Sequence, residues 1–270
     1  MINVLINGCN GKMGQEVATL IHSSHSFVLI GGIAKTISNS NFCDVFTHYS
    51  QIPSRPDVVI DFSSPAGTFN ILEYCQKHKV PLVIATTGFT SEQNNKIFAT
   101  SKYIPIFKSA NMSYSIAVVC NLLNKLVNLL PNSEIEILET HHSQKLDSPS
   151  GTAIMLADSL NKGSNYKYTY NFNRNNSYKK RLNNEIGFSS IRGGNIVGEH
   201  SVFFFGNAEK LEIKHTAYSR KIYAEGALKA TEFIVSQRPD EFTLWKIYFK
   251  AIKNGTLLLK SVPFFNKLPH

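Results

Sequence analysis

No apolar run in the chain is long enough to cross a bilayer. The best candidate, SIAVVCNLLNKLVNLL at 115–130, is broken by Asn121, Asn124 and Lys125 and reads as an amphipathic helix. The N-terminus, MINVLINGCNGK, has neither a basic leader nor a long apolar stretch, so no secretory signal is expected. Cysteine is scarce. Cys9, Cys43, Cys75 and Cys120 are scattered without a CxxC pair, a pattern that argues against a disulfide framework or a zinc site and suits a reducing cytoplasm. Internal repeats and low-complexity linkers are lacking too. Acidic residues are few, 19 against 28 Lys and Arg, and the resulting net charge of +9 suits anionic small molecules. The basic stretch NRNNSYKKRLNN at 173–184 has little aromatic interleaving and no recognisable nucleic-acid module beside it, so it reads as a solvated loop. A cytoplasmic protein with neither membrane nor nucleic acid as a partner is the expectation.

What is present begins at the first residues. A chain of 270 residues with 43% hydrophobic content holds one large α/β unit or two modest domains. INVLING is an apolar run of strand length, and CNGKMGQEVATLIHSS follows with Val17, Leu20 and Ile21 at helical spacing. Between them lies Gly8-x-x-Gly11-x-x-Gly14, with Asn10 where the commoner dinucleotide turn has glycine. Glycine lets a backbone turn sharply against a pyrophosphate, whose charge then meets the helix N-terminal amides. The next strand, FVLIGGIA, carries no acid at its end for an adenosine ribose; Ala34 and Lys35 stand there. Lys35 is either a grip for a 2′-phosphate or an ordinary exposed lysine.

PDVVIDFSSP, VPLVIATTGFT and YIPIFKSANMSYS read as further strands, the first two separated by a crossover helix in AGTFNILEYCQKHKV. This alternation predicts a parallel sheet, with the polar strand ends Ser63, Ser64, Thr86, Thr87 and Asn111 facing one crevice. After the helix near 115–130 the pattern changes. SEIEILE, GFSSIRGGNIVGEHSVFFF and EKLEIKHTAYS are consecutive strands, which predicts a second, α+β domain with a mixed or antiparallel sheet. The expected fold class is therefore α/β: an N-terminal Rossmann-like dinucleotide-binding domain with a parallel sheet, plus that second domain.

The densest chemistry sits at 138–153, LETHHSQKLDSPSGTA. Ala153, Ile154, Leu156, Ala157 and Leu160 predict an amphipathic helix, with Ser150 as its N-cap. The amides of Gly151 and Thr152 are then open to an anion, with the Thr152 hydroxyl beside them. His141, His142 and Lys145 are placed on the loop leading in. A metal site is a poor reading, because Lys145 is cationic and adjacent histidines diverge. Proton transfer beside an anion-binding Ser150-Gly151-Thr152 helix start and an ordinary polar loop both remain open.

The stretch H-H-x-x-K-x-D-x-P-S-G-T-A resembles the signature of the dihydrodipicolinate reductase family of bacterial lysine and diaminopimelate biosynthesis. Gly8-x-x-Gly11-x-Met13-Gly14, DFSSP, TTGF, ANMS, IGFSSIRGGNIVGEHSVFF and SRKIYAEGA follow in the family's order, covering residues 1 to about 230. The resemblance implies reduction of a cyclic dicarboxylate, 4-hydroxy-tetrahydrodipicolinate, by a hydride from NADPH or NADH. By motif position it implies that His141 and Lys145 are the acid–base residues and that His142, Gly151 and Thr152 hold substrate carboxylates. Gly8, Cys9, Asn10, Gly11, Lys12, Met13, Ala85, Thr86, Thr87, Ser109, Ala110, Asn111 and Met112 would line the cofactor. It further implies a homotetramer joined through the second domain's sheets, and a division into 1–113 with 220–270 and, between them, 114–219. With no acid after the second strand, NADPH is expected to be preferred.

Some positions depart from the family pattern. Ala85 stands where the family has glycine, Ser115 and Ala117 replace its Gly and Asn, and the segment from Lys35 to Asp61 is short. Two rival readings are another two-domain amino-acid dehydrogenase and a non-catalytic dinucleotide sensor. Neither requires His141 and Lys145 beside S-G-T-A.

Overall fold

The computed structural model describes residues 1–37, 42–174 and 179–239, and the backbone of 242–243. Most of the C-terminal FTLWKIYFKAIKNGTLLLK and residues 175–178 of the basic stretch lie outside the described residues. In chain order β1 (Ile2–Asn7), α1 (Lys12–His22), β2 (Phe27–Ile33), β3 (Val45–Phe46), β4 (Val58–Asp61), α2 (Pro65–His78) and β5 (Leu82–Ile84) come first. α3 (Ser91–Thr100), β6 (Ile106–Lys108), α4 (Tyr114–Leu129), β7 (Glu134–His141), α5 (Gly151–Gly163) and β8 (Thr169–Asn171) follow. β9 (Glu185–Arg192), β10 (Gly198–Phe205), β11 (Lys210–Ala217), α6 (Lys221–Ile234) and β12 (Phe242–Thr243) complete the order.

The first sheet has the order β12-β6-β5-β4-β1-β2-β3 with every pairing parallel. Its central strands are apolar on both faces because helices cover both, as parallel sheets require. Val4, Ile6, Val58 and Ile60 pack with α1 and α6 through Val17, Ile21, Ala227 and Ala230. Leu5 and Val59 face the other way, against Ile71, Leu72 and Cys75 of α2 and Ile97 of α3. The strand order reverses between β1 and β4, and ligands of such sheets bind beyond the strand C-termini at that point. Ser64 caps α2, with Pro65 opening that helix, and Thr90 with Gln93 forms a capping box on α3.

The second sheet, β11-β10-β7-β9-β8, is mixed: β10 is antiparallel to both neighbours, whereas β7, β9 and β8 run parallel. One face carries Ile135, Ile137, Ile186, Val202 and Phe204 against Leu123, Val127, Leu156 and Leu160 of α4 and α5. The expected fold class is what the structure displays. Two connections differ from a regular βαβ pattern. Between β2 and β4 the described residues hold the two-residue β3 and a single 3-10 turn, consistent with the short segment noted above. After α6 the chain returns to the first sheet, where β12 pairs with β6. No helix among the described residues is long and apolar enough to cross a membrane.

Candidate active site

At the strand reversal, Gly8 follows β1 with φ +86°, and a Cβ there would lie 2.7 Å from the Phe62 carbonyl oxygen. Only glycine meets both the left-handed backbone and that close approach. Gly11 is the N-cap of α1, with no side-chain cap and no acid in the first turn. The helix start is thus open to an anion, and the turn fits a dinucleotide pyrophosphate. Cys9 is buried, its thiol pushed up to about 11, chiefly by that burial, so it offers backbone rather than side chain. Asn10 Nδ2 donates to the Thr36 carbonyl (2.9 Å) and ties the turn to the chain after β2. Lys12 and Lys35 are exposed, and Met13 is half-buried.

Some of the polar strand ends do not face the crevice as expected. Ser63 and Thr86 turn inward to Asp61, the fully buried last residue of β4. Asp61 accepts from Asn7 Nδ2 (2.8 Å), Ser63 Oγ (2.5 Å), Thr68 Oγ1 (2.5 Å) and Thr86 Oγ1 (2.9 Å). Burial pushes its carboxyl above the usual range, and these donors pull it only part of the way back. The reason for the inward turn is the buried acid, which needs every available donor. Ser64 is used as a cap, whereas Thr87 is exposed and Ala85 half-buried. In the next loop, Ser109 donates to the Asn111 carbonyl (2.6 Å) and Asn111 Oδ1 accepts from the Ser113 amide (2.7 Å). Ala110 is exposed and Met112 is buried. Asn111 Nδ2 then reaches Thr152 Oγ1 at 2.8 Å, joining the nucleotide side to the start of α5.

His141 is not on a loop. It is the last residue of β7, because the alternation Ile135, Ile137, Glu139, His141 continues the buried face to the strand's end. Its Nδ1 lies 2.5 Å from Glu139 Oε2, and Arg192 grips the same carboxylate through both oxygens, at 2.8 and 2.6 Å. Burial raises the Glu139 carboxyl, but hydrogen bonds from His141, Arg192 and Ser190 outweigh it and hold the group well below the usual range. His200 packs its ring edge-on to His141 with centroids 5.1 Å apart. Burial, aided by His141, lowers His200 to about 3, so it is a neutral wall.

His142 is half-buried, its amide bonded to the Ile196 carbonyl (2.8 Å). Lys145 is half-buried with Nζ 2.7 Å from Asp147 Oδ1. Asp147, raised by partial burial and lowered more by Lys145, sits below its ordinary value. Gly151 is exposed over open space and Thr152 is half-buried beside it. Ser150 is set apart from them. It is buried, its Oγ accepts from the Ala153 amide (3.2 Å) and meets His200 Nε2 (2.8 Å), and its own amide donates to Glu139. Among the described residues no group of three His, Cys, Asp or Glu is placed to hold a metal ion.

Asn7, Asp61, Glu139, Arg192 and His200 escaped the sequence reading. For two of them a signal existed: an acid closes the apolar run VVID, and Glu139 stands two residues from His141, hence on the same strand face.

Comparisons with known proteins identify relatives of this chain. The family profile for the dihydrodipicolinate reductase N-terminus matches residues 2–112, and that for the C-terminus matches 115–247. The 4-hydroxy-tetrahydrodipicolinate reductase of Caldanaerobacter subterraneus subsp. tengcongensis is 42% identical, over 90% of this chain and 97% of its own. That of Clostridium tetani is 44% identical, over 87% and 92%. A dipicolinate-bound dihydrodipicolinate reductase from Paenisporosarcina sp. TG-14 shares the fold, with TM-score 0.70 at 24% identity over 90% of this chain and 97% of that one.

Proposed function

The chain belongs to the dihydrodipicolinate reductase family and catalyses the NAD(P)H-dependent reduction of 4-hydroxy-tetrahydrodipicolinate, and we propose that His141 and Lys145 carry its proton chemistry. The nicotinamide, when bound, supplies the hydride. Hydride addition to a conjugated carbon leaves negative charge, which a positioned proton must quench. His141 and Lys145, with His142 between them, are the histidine and lysine side chains that most closely precede the start of α5 in sequence. Gly151 and Thr152 bind a substrate carboxylate at that helix start, with His142 beside them. The observation that carries this reading is the Asn111–Thr152 bond. Because Thr152 Oγ1 accepts from Asn111, its own hydroxyl proton remains for a carboxylate, and the nucleotide-side loop is held against the substrate helix. The dipicolinate bound to the Paenisporosarcina protein is a dicarboxylate of the same class.

Gly8 to Met13, Ala85 to Thr87 and Ser109 to Met112 line the cofactor in this reading, the buried Cys9, Thr86 and Met112 through their backbones. Lys35 makes NADPH the preferred donor over NADH. The first domain takes 1–113 and 220–270, the second 114–219. Exposed Ile191, Phe205 and Leu211 on β9–β11 support a homotetramer assembled through the second sheet, and a cytoplasmic location suits the scattered cysteines. The test is a coupled assay. Pyruvate and aspartate semialdehyde are supplied with a dihydrodipicolinate synthase, and oxidation of NADPH or NADH is followed. Oxidation dependent on the synthase supports the reading, and its absence with both cofactors overturns it.

A further inference from the structure

The acid–base assignment of His141 and Lys145 leaves unexplained a carboxylate that touches neither solvent nor any substrate subsite. Glu139 is 1% exposed, yet it faces the same side of β7 as His141. Its Oε2 meets His141 Nδ1, and its Oε1 accepts from the Ser150 amide (3.2 Å) at the start of α5. Arg192, opposite His141 on β9, clamps both oxygens and donates to the Asp147 carbonyl (2.7 Å). Asp147 in turn holds Lys145. One ion pair, buried at its carboxylate and half-buried at its guanidinium, therefore contacts the strand, the loop and the helix start that bear the proposed chemistry.

We propose that Glu139, clamped by Arg192, is a positioning residue that fixes the ring orientation and tautomer of His141 and, through the same guanidinium, the loop bearing Lys145. The inference rests on the acid–base reading given above. A carboxylate on Nδ1 keeps that nitrogen protonated, so proton exchange passes to Nε2. Nε2 has no hydrogen-bond partner among the described residues. The ring lies in a slot opposite Gly198 on β10, where a Cβ would come within 3.0 Å of Nε2. The groups about the ring are Glu139 from β7, with Arg192 from β9 bonded to that carboxylate, and neutral His200 from β10, which in turn feels the charges of His215 from β11 and Lys145 from the loop before α5. When His141 donates, the Nε2–H bond breaks and a C–H bond forms on the substrate carbon that hydride addition has left electron-rich. The N–H electron pair stays on the imidazole, which becomes neutral while Glu139 keeps its charge.

The experiment uses the full chain with Glu139→Gln, Glu139→Asp and wild type in the coupled assay across pH, together with imidazole ¹⁵N spectra of His141. Glu139→Gln is expected to lower kcat by about 10²-fold, within the range of a lost acid–base contribution. In Glu139→Gln the carboxylate that held Nδ1–H is gone, and the ¹⁵N spectra of the neutral ring show the Nε2–H form beside the Nδ1–H form. NADPH dissociation constants stay as in wild type, and Glu139→Asp recovers part of the rate. Wild-type neutral His141 shows the Nδ1–H tautomer. Wild-type kcat in folded Glu139→Gln overturns the inference. So does an equal loss of kcat with the tautomer unchanged, which a merely structural role would give. Should Glu139→Gln fail to fold, an Nε2–H tautomer in wild type overturns it without any variant. A wild type inactive in the assay defeats the acid–base reading instead, and the ¹⁵N spectra still decide the tautomer.

Discussion

At Thr152 the hydroxyl accepts from Asn111, and in the proposed reading it keeps its proton for a substrate carboxylate. Thr152→Val conserves the shape and removes both bonds. A hydrogen bond to a charged group contributes roughly 1.5–3 kcal/mol, so inhibition by pyridine-2,6-dicarboxylate is expected to weaken about ten-fold or more. An unchanged inhibition constant would rule out the anion site. His141→Ala and Lys145→Ala act on a different quantity. Each is expected to lower kcat by roughly 10²-fold or more while NADPH binding stays constant, since neither residue belongs to the Gly8–Gly14 turn. Near-normal turnover in both variants refutes the assignment. Lys35 is exposed just after β2, where an acid would repel a 2′-phosphate and a lysine attracts it as a point charge. Lys35→Ala should raise KM for NADPH by up to about ten-fold, limited by screening at an exposed site, and leave NADH nearly untouched. Equal losses for the two cofactors would show that Lys35 does not read the phosphate.

Among the elements, the packing of α4 against α5 sets the back wall of the substrate side. The two helices approach closely at Gly163, where a Cβ would strike the Asn124 carbonyl and lie 2.7 Å from Val127 Cγ1. Backbone cannot yield as a flexible side chain does, so Gly163→Ala should destabilise the fold by about 1–3 kcal/mol. Urea unfolding reads that loss, and kcat of the folded variant at 25 °C stays near wild type because the site lies at the opposite end of α5. A wild-type urea midpoint would mean that the helices separate freely. Elements with many periods were legible in advance: β1, α1 and α4 each repeat their apolar spacing several times. β3, β8 and β12 were not, since two or three residues paired at or near a sheet's edge leave no period to detect. The strand character of His141 was hidden for another reason. Its alternation runs from Ile135 and Ile137 into Glu139 and His141, and polar residues on a buried face mimic a loop until their partners, Arg192 and His200, are known.

For the whole molecule, the alternation of strand and helix revealed the parallel sheet, and the strand reversal located the glycine turn. The partners of the buried polar hubs at Asp61 and Glu139 were not legible, because their donors come from segments up to 54 residues away in the chain. Those hubs, with His200, also set how the fold responds to acid. His200 is lowered to about 3, chiefly by burial, against an ordinary value near 6.5. Below pH 6.5 the unfolded chain takes up a proton that folded His200 refuses until about 3, so its contribution to stability is complete above pH 6.5 and is lost as pH falls. Glu139 has the same sign at lower pH: its folded value is depressed, and its contribution disappears only below the ordinary carboxylate range. Asp61 has the opposite sign. Its raised carboxyl favours the fold when protonated, and that gain is lost as pH rises through its folded value. Between about pH 6.5 and 5, His200 therefore dominates over Glu139, with His215 adding in the same direction. Each proton of difference gives a slope of at most about 1.4 kcal/mol per pH unit. Urea unfolding at pH 7, 6 and 5 is expected to show wild type losing stability along that slope. His200→Gln, which retains a partner for Ser150 Oγ, should give a flatter curve, while growing positive charge affects both proteins alike. Parallel curves for the two would place the acid sensitivity elsewhere than in this buried imidazole.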